Sequence, residues 1–238
     1  MSVDLSGRAV DAQELMDDPQ ANERMLERTY ERFGLVNAVV SRWRSVYLRD
    51  IRPRARTKKI RLLDVGAGGG DVSRAIVGWA RRDRLCVQVT ALDVDARAIS
   101  WARKCGGGVE YRCALTGELA SAGESFDVVI SNHLLHHLSS DELADLLSDS
   151  VRLAGTGGIV IHRDIERSRF AYCGFSAATW PFARNVLADS FIREDGLISI
   201  RRAYTADELA SVVPSGWRVR RAFPSRLELR WEAADAGS

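Results

Sequence analysis

The chain has 238 residues, of which 46% are hydrophobic and 28% are charged, and its formal net charge is +2. This composition predicts one globular domain with a sizeable core, or such a domain with a small extension, and gives no electrostatic reason to expect an acidic partner such as nucleic acid. No stretch approaches the roughly 18 uncharged apolar residues of a membrane span, and the first residues lack the apolar core of a signal peptide. The four cysteines show no CxxC spacing, so we interpret them as reduced thiols and expect a cytoplasmic protein.

The first part of the chain is predicted to be helical. From Leu26 to Tyr47 apolar residues recur at steps of three and four, which gives one apolar stripe, with Gly34 as a candidate break. The stretch "RDIRPRARTKKIR" follows and contains Pro53 and many cations. Because it holds no aromatic residue for base stacking, it is typical of a solvated linker rather than of a nucleic-acid contact.

From Ile60 onward, short apolar runs alternate with helical stretches, a pattern typical of a parallel sheet with helices on both faces. Two further strands, "GWRVRRAF" and "SRLELRWE", are predicted to form a hairpin around Pro224. The sequence therefore predicts a doubly wound α/β fold with seven strands. The first five strands are "IRLLDV", "CVQVTALDV", "VEYRCA", "FDVVIS" and "GGIVIH".

Residues 164–204 interrupt this alternation and are rich in aromatic residues. An insertion after the fifth strand is predicted to lie above the carboxyl edge of the sheet, where open α/β sheets bind ligands. Taken together, its aromatic residues favour a helical cover over a flat apolar substrate. We therefore expect a helical extension or lid over residues 1–58 and a second domain over residues 59–238 that contains this insertion.

The stretch "LLDVGAGGGD" has the pattern strand, glycine loop, helix. Gly66, Gly68 and Gly70 allow the backbone to turn tightly and to approach a ligand closely. A nicotinamide-binding loop would have its third glycine at position 71, where Asp71 stands and would repel a pyrophosphate. The GxGxG spacing instead resembles the first motif of class I S-adenosylmethionine-dependent methyltransferases, whose ligand carries no pyrophosphate.

This resemblance covers about residues 60–231. It implies a Rossmann-like, mostly parallel sheet with an antiparallel last strand, and S-adenosyl-L-methionine as the cofactor. It further implies that Asp64 meets the cofactor ammonium and that Gly66, Ala67 and Gly68 lie against the cofactor.

The second strand ends in "ALDVD", at the position where such methyltransferases bind the adenosine. The resemblance implies that Asp93 accepts hydrogen bonds from both ribose hydroxyls and that Val94 lies against the adenine, while Asp95 caps the next helix. Many relatives carry an acidic residue after the third strand, but this chain has "RCALTGE" there. Adenine recognition is therefore expected to use the backbone around Ala114 and Leu115.

Three of the four histidines lie in "SNHLLHHL", directly after the fourth strand and therefore beside the transferable methyl group. Ser131 and Asn132 are expected to contact the methionine end of the cofactor. His133 or His136 is the candidate base, or orients the acceptor hydroxyl, although each histidine also suits a packing role. In a helical turn His133, His136 and His137 would share one face, and two of them could bind zinc. No further ligand with a defined spacing appears, so no metal is expected.

These features predict a methyltransferase that O-methylates a small, aromatic, hydroxyl-bearing metabolite, working as a monomer or homodimer. "ELMDDP" and "HRDIERSR" resemble a bacterial subgroup linked to polyketide or quinone-like products. C-methylation of such an acceptor and a non-catalytic S-adenosylmethionine-binding protein stay open as alternatives. Nucleic-acid amino methylation is disfavoured because no Pro-Pro-aromatic motif follows the fourth strand. Asp164 and Arg167 are expected to form a salt bridge that anchors the insertion, with substrate contact as the alternative.

Overall fold

The computed structural model describes residues 3–233 and contains one seven-stranded sheet in the order β3-β2-β1-β4-β5-β7-β6. Neighbours from β3 to β5 pair in parallel, whereas β7 runs antiparallel to both β5 and β6. The predicted mostly parallel sheet with an antiparallel last strand is therefore confirmed. The strands are β1 Ile60–Val65, β2 Val87–Asp93, β3 Glu110–Cys113, β4 Phe126–Asn132, β5 Ala154–Ile165, β6 Arg218–Ala222 and β7 Arg226–Glu232.

Helices precede the sheet, alternate with its strands and form the predicted insertion between β5 and α10. They are α1 Glu23–Val40, α2 Trp43–Val46, α3 Arg52–Thr57, α4 Asp71–Arg82, α5 Ala96–Cys105, α6 Thr116–Ser121, α7 Ser140–Leu153, α8 Arg169–Thr179, α9 Ile192–Arg202 and α10 Ala206–Val212. The helical extension and the helical insertion are thus confirmed. The boundary at residue 58 and the covering role of either segment stay predictions, and residues 1, 2 and 234–238 of the two predicted domains lie outside the described range.

Two predictions about the N-terminal helices were wrong. Helix α1 continues through Gly34 and the break comes at Arg42, whose backbone is left-handed with φ 51°. The predicted solvated linker is helical: a π-helical turn, Tyr47–Ile51, runs directly into helix α3, with Pro53 near the junction of the two. Burial of Ile51 and Ala55 against the sheet fixes this segment in place.

Both faces of the sheet are covered, which explains why its central strands are almost continuously apolar. Along β1, Leu62 packs with Tyr47 and Ile76 on one face, and its neighbour Leu63 packs with Leu147 on the other. Successive strand residues point to opposite faces, so one run of apolar residues serves both cores. Residues of the N-terminal helices α2 and α3 pack in the same core as the Leu62 face of the sheet.

Residues 8–16 run beside the insertion, above the carboxyl edge of the sheet. The Arg8 Nε donates to the Arg202 carbonyl at 2.8 Å, and the amides of Leu15 and Met16 donate to the Asp195 carboxylate at 2.7 and 3.0 Å. These contacts fix residues 8–16 against the insertion. Within residues 3–233, no helix combines the length and apolar character that crossing a bilayer requires.

Candidate active site

A cavity of about 1200 Å³ lies at the carboxyl ends of β1, β2 and β4. Its floor is the glycine loop, and its other walls come from α1, α8 and α9. Several large apolar side chains line it, in keeping with a flat apolar ligand. These are Tyr30, Phe33, Leu134, Phe170, Phe175, Ile192 and Ile200.

The glycine loop adopts a conformation that larger residues would strain. Gly66 has φ +64°, and a Cβ there would stand 2.8 Å from the Leu134 Cδ1, so this turn requires glycine. The Gly68 amide donates to an Asp93 carboxylate oxygen at 2.6 Å, which ties the loop to the end of β2. The predicted loop residues Gly66, Ala67 and Gly68 all line the cavity.

Asp93 lies at the tip of β2 on the cavity wall. Its second oxygen accepts from the Asp95 amide at 2.9 Å, and burial raises the pKa of its carboxyl above the usual value. Asp95 accepts from the Arg97 amide at 2.8 Å and caps α5, as expected. Val94 and Leu115 also line the cavity and are 66% and 62% exposed, which leaves apolar surface available to a flat ring.

Asp64 is buried at the end of β1, where its carboxylate accepts from the Ser73 hydroxyl at 2.6 Å. Burial raises its pKa to about 7, and the charges of Asp71 and Asp93 add to the rise. Asp71 accepts from the Asn37 side-chain amide at 3.0 Å, and its own pKa is also raised by burial. We call Asp64, Asp71 and Asp93 the acidic end of the cavity. No cation pairs with Asp64 or Asp93 among residues 3–233, so this end electrostatically favours a cationic ligand.

Ser131 and Asn132 end β4, but only Asn132 lines the cavity. Ser131 is fully buried, and its hydroxyl bonds to the His162 Nδ1 at 2.8 Å. The difference follows from strand geometry, because consecutive side chains point to opposite faces of the sheet. The predicted cofactor contact of Ser131 stays a prediction, and its hydroxyl is engaged by His162. Ala114, also predicted, does line the cavity.

His136 is fixed between two carboxylates. Its Nδ1 and its backbone amide bond to the two oxygens of Asp164, both at 2.8 Å, and its Nε2 lies 3.2 Å from the Glu14 Oε1. Burial alone would lower the pKa of His136, but Asp164 and then Glu14 outweigh burial and raise it to about 9. At neutral pH His136 is accordingly an imidazolium with no free lone pair.

His133 has the opposite charge state. Its backbone is left-handed with φ 59°, and its Nε2 lies 2.6 Å from the Arg226 Nη1. Burial and the Arg226 charge hold its pKa well below 6.5, so the ring is neutral. Since Arg226 can only donate, the His133 Nε2 is the acceptor and the ring proton resides on Nδ1.

Glu14, His136 and His137 present possible metal ligands within 4.8 Å of one another. His137 is 3.2 Å from the Asp17 Oδ2 through Nδ1. These ring and carboxylate atoms could hold a divalent cation, or a proton on the histidine could bridge the carboxylates instead. The expectation of no metal therefore stays a prediction.

The expected pairing of Asp164 with Arg167 was wrong. Asp164 uses both oxygens on His136, whereas Arg167 donates to the Glu208 carboxylate at 2.8 Å through Nη1. Arg167 thus ties the insertion to α10, and the Asp164 carboxylate holds His136, which lines the cavity.

Sequence reasoning missed three residues of this region: Glu14, Asp71 as part of the acidic end, and Arg226. Glu14 lies in the quoted "ELMDDP", but nothing local to that stretch placed it against His136. Arg226 belongs to a strand of alternating charged and apolar residues, a pattern that normally leaves the charged residues in solvent. Only its burial identifies it.

Comparison with known proteins agrees with this geometry. Residues 63–162 match the model of a family described as a methyltransferase domain. The ubiquinone biosynthesis O-methyltransferase of Parvibaculum lavamentivorans is 31% identical over 153 residues, which cover 62% of this chain and 53% of that protein. That of Rhizobium rhizogenes is 26% identical over 77% of this chain and 71% of its own length. The chain spans about half the length of most curated relatives it matches.

Among solved structures, the plantazolicin methyltransferase BpumL, in complex with a triazolic desmethylPZN analog and SAH, has a TM-score of 0.59 at 12% identity and covers 92% of this chain and 93% of its own. At that identity the likeness concerns the fold. The chain is thus similar to methyltransferase domains over residues 63–162 and shares the fold of BpumL.

Proposed function

We propose that the protein transfers a methyl group from S-adenosyl-L-methionine to the oxygen of a small, aromatic, hydroxyl-bearing metabolite. The observation that carries this proposal is the acidic end of the cavity, which lies beside a glycine loop whose backbone conformation disfavours larger residues. Two buried carboxylates without a cationic partner suit a ligand with positive charge on an ammonium and a sulfur. They would repel the pyrophosphate of a nicotinamide cofactor.

The residues that line the cavity supply a proposed contact for each part of this cofactor. Asp64 is the proposed partner of the ammonium, and the two oxygens of Asp93, each with a lone pair free beside its backbone bond, are the proposed acceptors for the ribose hydroxyls. Val94 and Leu115 offer the apolar surface for the adenine, with Ala114 beside them. Asn132, whose buried Oδ1 has no partner among residues 3–233, is the proposed contact for the amino-acid end.

S-adenosylmethionine, when bound, supplies a methyl group on a positively charged sulfur. The protein's part is to align the acceptor oxygen with that methyl group and to exclude water. The aromatic walls from Phe33, Phe170 and Phe175 suit both tasks. Of the two candidate histidines, His133 is neutral and suits orientation of the acceptor hydroxyl, whereas His136 is a cation and suits anchoring of residues 14–17.

The relatives named as O-methyltransferases support oxygen as the target. C-methylation of a quinone-like or polyketide-like acceptor is the alternative, since the same alignment serves a carbon nucleophile. We propose further that residues 1–58 and 164–204 act as a lid over the acceptor. The same proposal includes a cytoplasmic protein that works as a monomer or homodimer on an acceptor other than nucleic acid.

Two measurements test it. Calorimetry with S-adenosylhomocysteine should show that Asp93→Ala loses roughly 1.5–3 kcal/mol of binding free energy, about tenfold or more in affinity, while Asp207→Ala, an exposed acid away from the cavity, binds as the unchanged protein does. Incubation with methyl-labelled cofactor and a panel of phenols should give methyl ethers, identified by NMR. Cofactor binding without transfer to any acceptor would favour a non-catalytic binding protein, and unchanged affinity in folded Asp93→Ala would remove the cofactor assignment.

A further inference from the structure

Arg226 opens β7 and is one of the most deeply buried side chains of the protein, with 1% of its surface exposed. Its Nη1 donates to His133, and its Nη2 is buried with no hydrogen-bond partner among the described residues. Arg226 also lies on the wall of the cavity, with Ser225 and His133 beside it. The arginine is therefore an incompletely bonded cation at the acceptor side of the site.

The carboxylates around Arg226 are committed elsewhere. Glu228, two residues along the strand, pairs with Arg49 at 2.8 Å and approaches Arg163 at 3.7 Å. Asp164 is close enough to raise the pKa of Arg226, but both its oxygens bond to His136. Burial dominates and lowers the Arg226 pKa to about 10, which still leaves it charged at neutral pH.

A buried cation that lacks a carboxylate contact destabilises a fold, and an apolar residue of similar size would often serve stability better. The packing of β7 does not require this arginine, because Leu227 and Leu229 supply the buried apolar contacts of the strand. A binding role explains its position on a cavity wall more simply than a structural role does.

We propose that Arg226, together with His133, binds an anionic oxygen of the acceptor. The inference rests on the proposed function and deepens it, because it assigns the acceptor to the class of flat apolar molecules that carry an ionised oxygen, either a carboxylate or a phenolate. Guanidinium groups present paired donors that match such oxygens.

The charge pattern of the cavity supports this assignment. The acidic end of Asp64, Asp71 and Asp93 suits a cationic cofactor, and the Arg226 corner suits an anionic acceptor. Because Arg226 occupies the His133 Nε2, the proton on Nδ1 makes His133 a second donor and not a base. An acceptor bound as its anion needs no base in the site, since its proton has already passed to solvent.

The test compares three probes of one shape: 2-naphthoate, 2-naphthol and 2-naphthamide, each titrated into the protein saturated with S-adenosylhomocysteine. Naphthoate should bind at least about tenfold tighter than the neutral amide. Alternatively, naphthol should reach this advantage as the pH rises towards the pKa of its hydroxyl group. A preference for naphthoate identifies a carboxylate, and a pH-dependent preference for naphthol identifies the reacting hydroxyl. Equal binding of all three probes overturns the inference.

Variants then assign the preference to a residue. Arg226→Gln should abolish it, Arg226→Lys should retain part of it, and Arg152→Gln should leave it intact. Arg152 is the matched control, because it lines the same cavity but is 54% exposed and pairs with Asp149 at 3.4 Å. Retention of the full preference in Arg226→Gln also overturns the inference; if that variant does not fold, Arg226→Lys and the probe comparison in the unchanged protein decide.

Failure of this inference is distinguishable from failure of the proposed function. A protein that does not bind S-adenosylhomocysteine contradicts the function itself. If the unchanged protein and all three variants bind S-adenosylhomocysteine with the same affinity, but the unchanged protein shows no preference among the probes, only the role of Arg226 is contradicted.

Discussion

The two ends of the cavity balance their charges in opposite ways. At the acidic end, burial raises the pKa of Asp64, Asp71 and Asp93, and the charges of Asp71 and Asp93 raise that of Asp64 further. At the histidine corner, formed by Glu14, His136 and Asp164, the His136 imidazolium lies between two carboxylates. Carboxylates without a cationic partner suit a cationic ligand, whereas carboxylates that pair with a buried imidazolium stabilise the fold.

The comparison predicts its largest effect at Asp164. Asp164→Ala leaves the buried His136 without its main partner, and breaking a buried ion pair costs about 3–5 kcal/mol of unfolding free energy. Chemical denaturation measures this loss. The matched control is Asp207→Ala, which removes an exposed acid 3.7 Å from Arg221 and should change stability far less. Similar losses of unfolding free energy in both variants would contradict a stabilising ion pair between His136 and Asp164.

The same corner predicts how stability depends on pH. The pKa of His136 is about 9 in the folded protein and 6.5 without its partners, so its contribution is complete below pH 6.5 and disappears as the pH rises through 9. Each unit of pKa shift corresponds to about 1.4 kcal/mol, and the lowered pKa of Asp164 expresses the same interaction. Denaturation of the protein and of His136→Gln from pH 6 to 10 should show this decline only in the former.

The acidic end predicts an effect of opposite sign. The Asp64 pKa is raised by burial from 3.8 to about 7, so ionised Asp64 destabilises the fold, increasingly as the pH rises from 4 through 7. Asp64→Asn should therefore be at least as stable as the unchanged protein at pH 8, with the difference shrinking towards pH 4. Melting curves at both pH values check this, and a clear loss of stability at pH 8 would show that Asp64 serves the fold.

The smallest expected effect concerns metal. If His136 holds a proton between Glu14 and Asp164, removal of divalent cations should leave methyl transfer unchanged. Turnover measured after chelation and again after adding Zn²⁺ or Mg²⁺ tests this. A loss that either cation restores would make Glu14, His136 and His137 a metal site.

The contrast also explains which features were predictable. The residues of the acidic end belong to short motifs in which a strand is followed directly by a loop or an acidic residue. Their spacing therefore predicted that Gly66, Gly68 and Asp93 would lie on the cavity wall. Alternation of strands and helices likewise gave the sheet, because burial of both faces leaves a clear periodic pattern.

The histidine corner could not be predicted in this way. His136 meets Glu14, 122 positions earlier, and Asp164, on another strand, so its charge state depends on long-range packing. Arg226 is buried because the N-terminal helices cover a sheet face that β7 alone would leave to solvent. The partner of Asp164 was mistaken for the same reason, since Arg167 is nearer in sequence but faces α10.

The most direct test of the account is the proton balance of S-adenosylhomocysteine binding near pH 7. Asp64 is about half protonated there in the free protein, and an ammonium bound beside it should force it to ionise. Calorimetry in two buffers of different ionisation enthalpy should therefore detect release of a proton fraction, with affinity falling below pH 7, and Asp64→Asn should lose both effects. Binding without proton release, or the same release in Asp64→Asn, would contradict the placement of the cofactor at the acidic end.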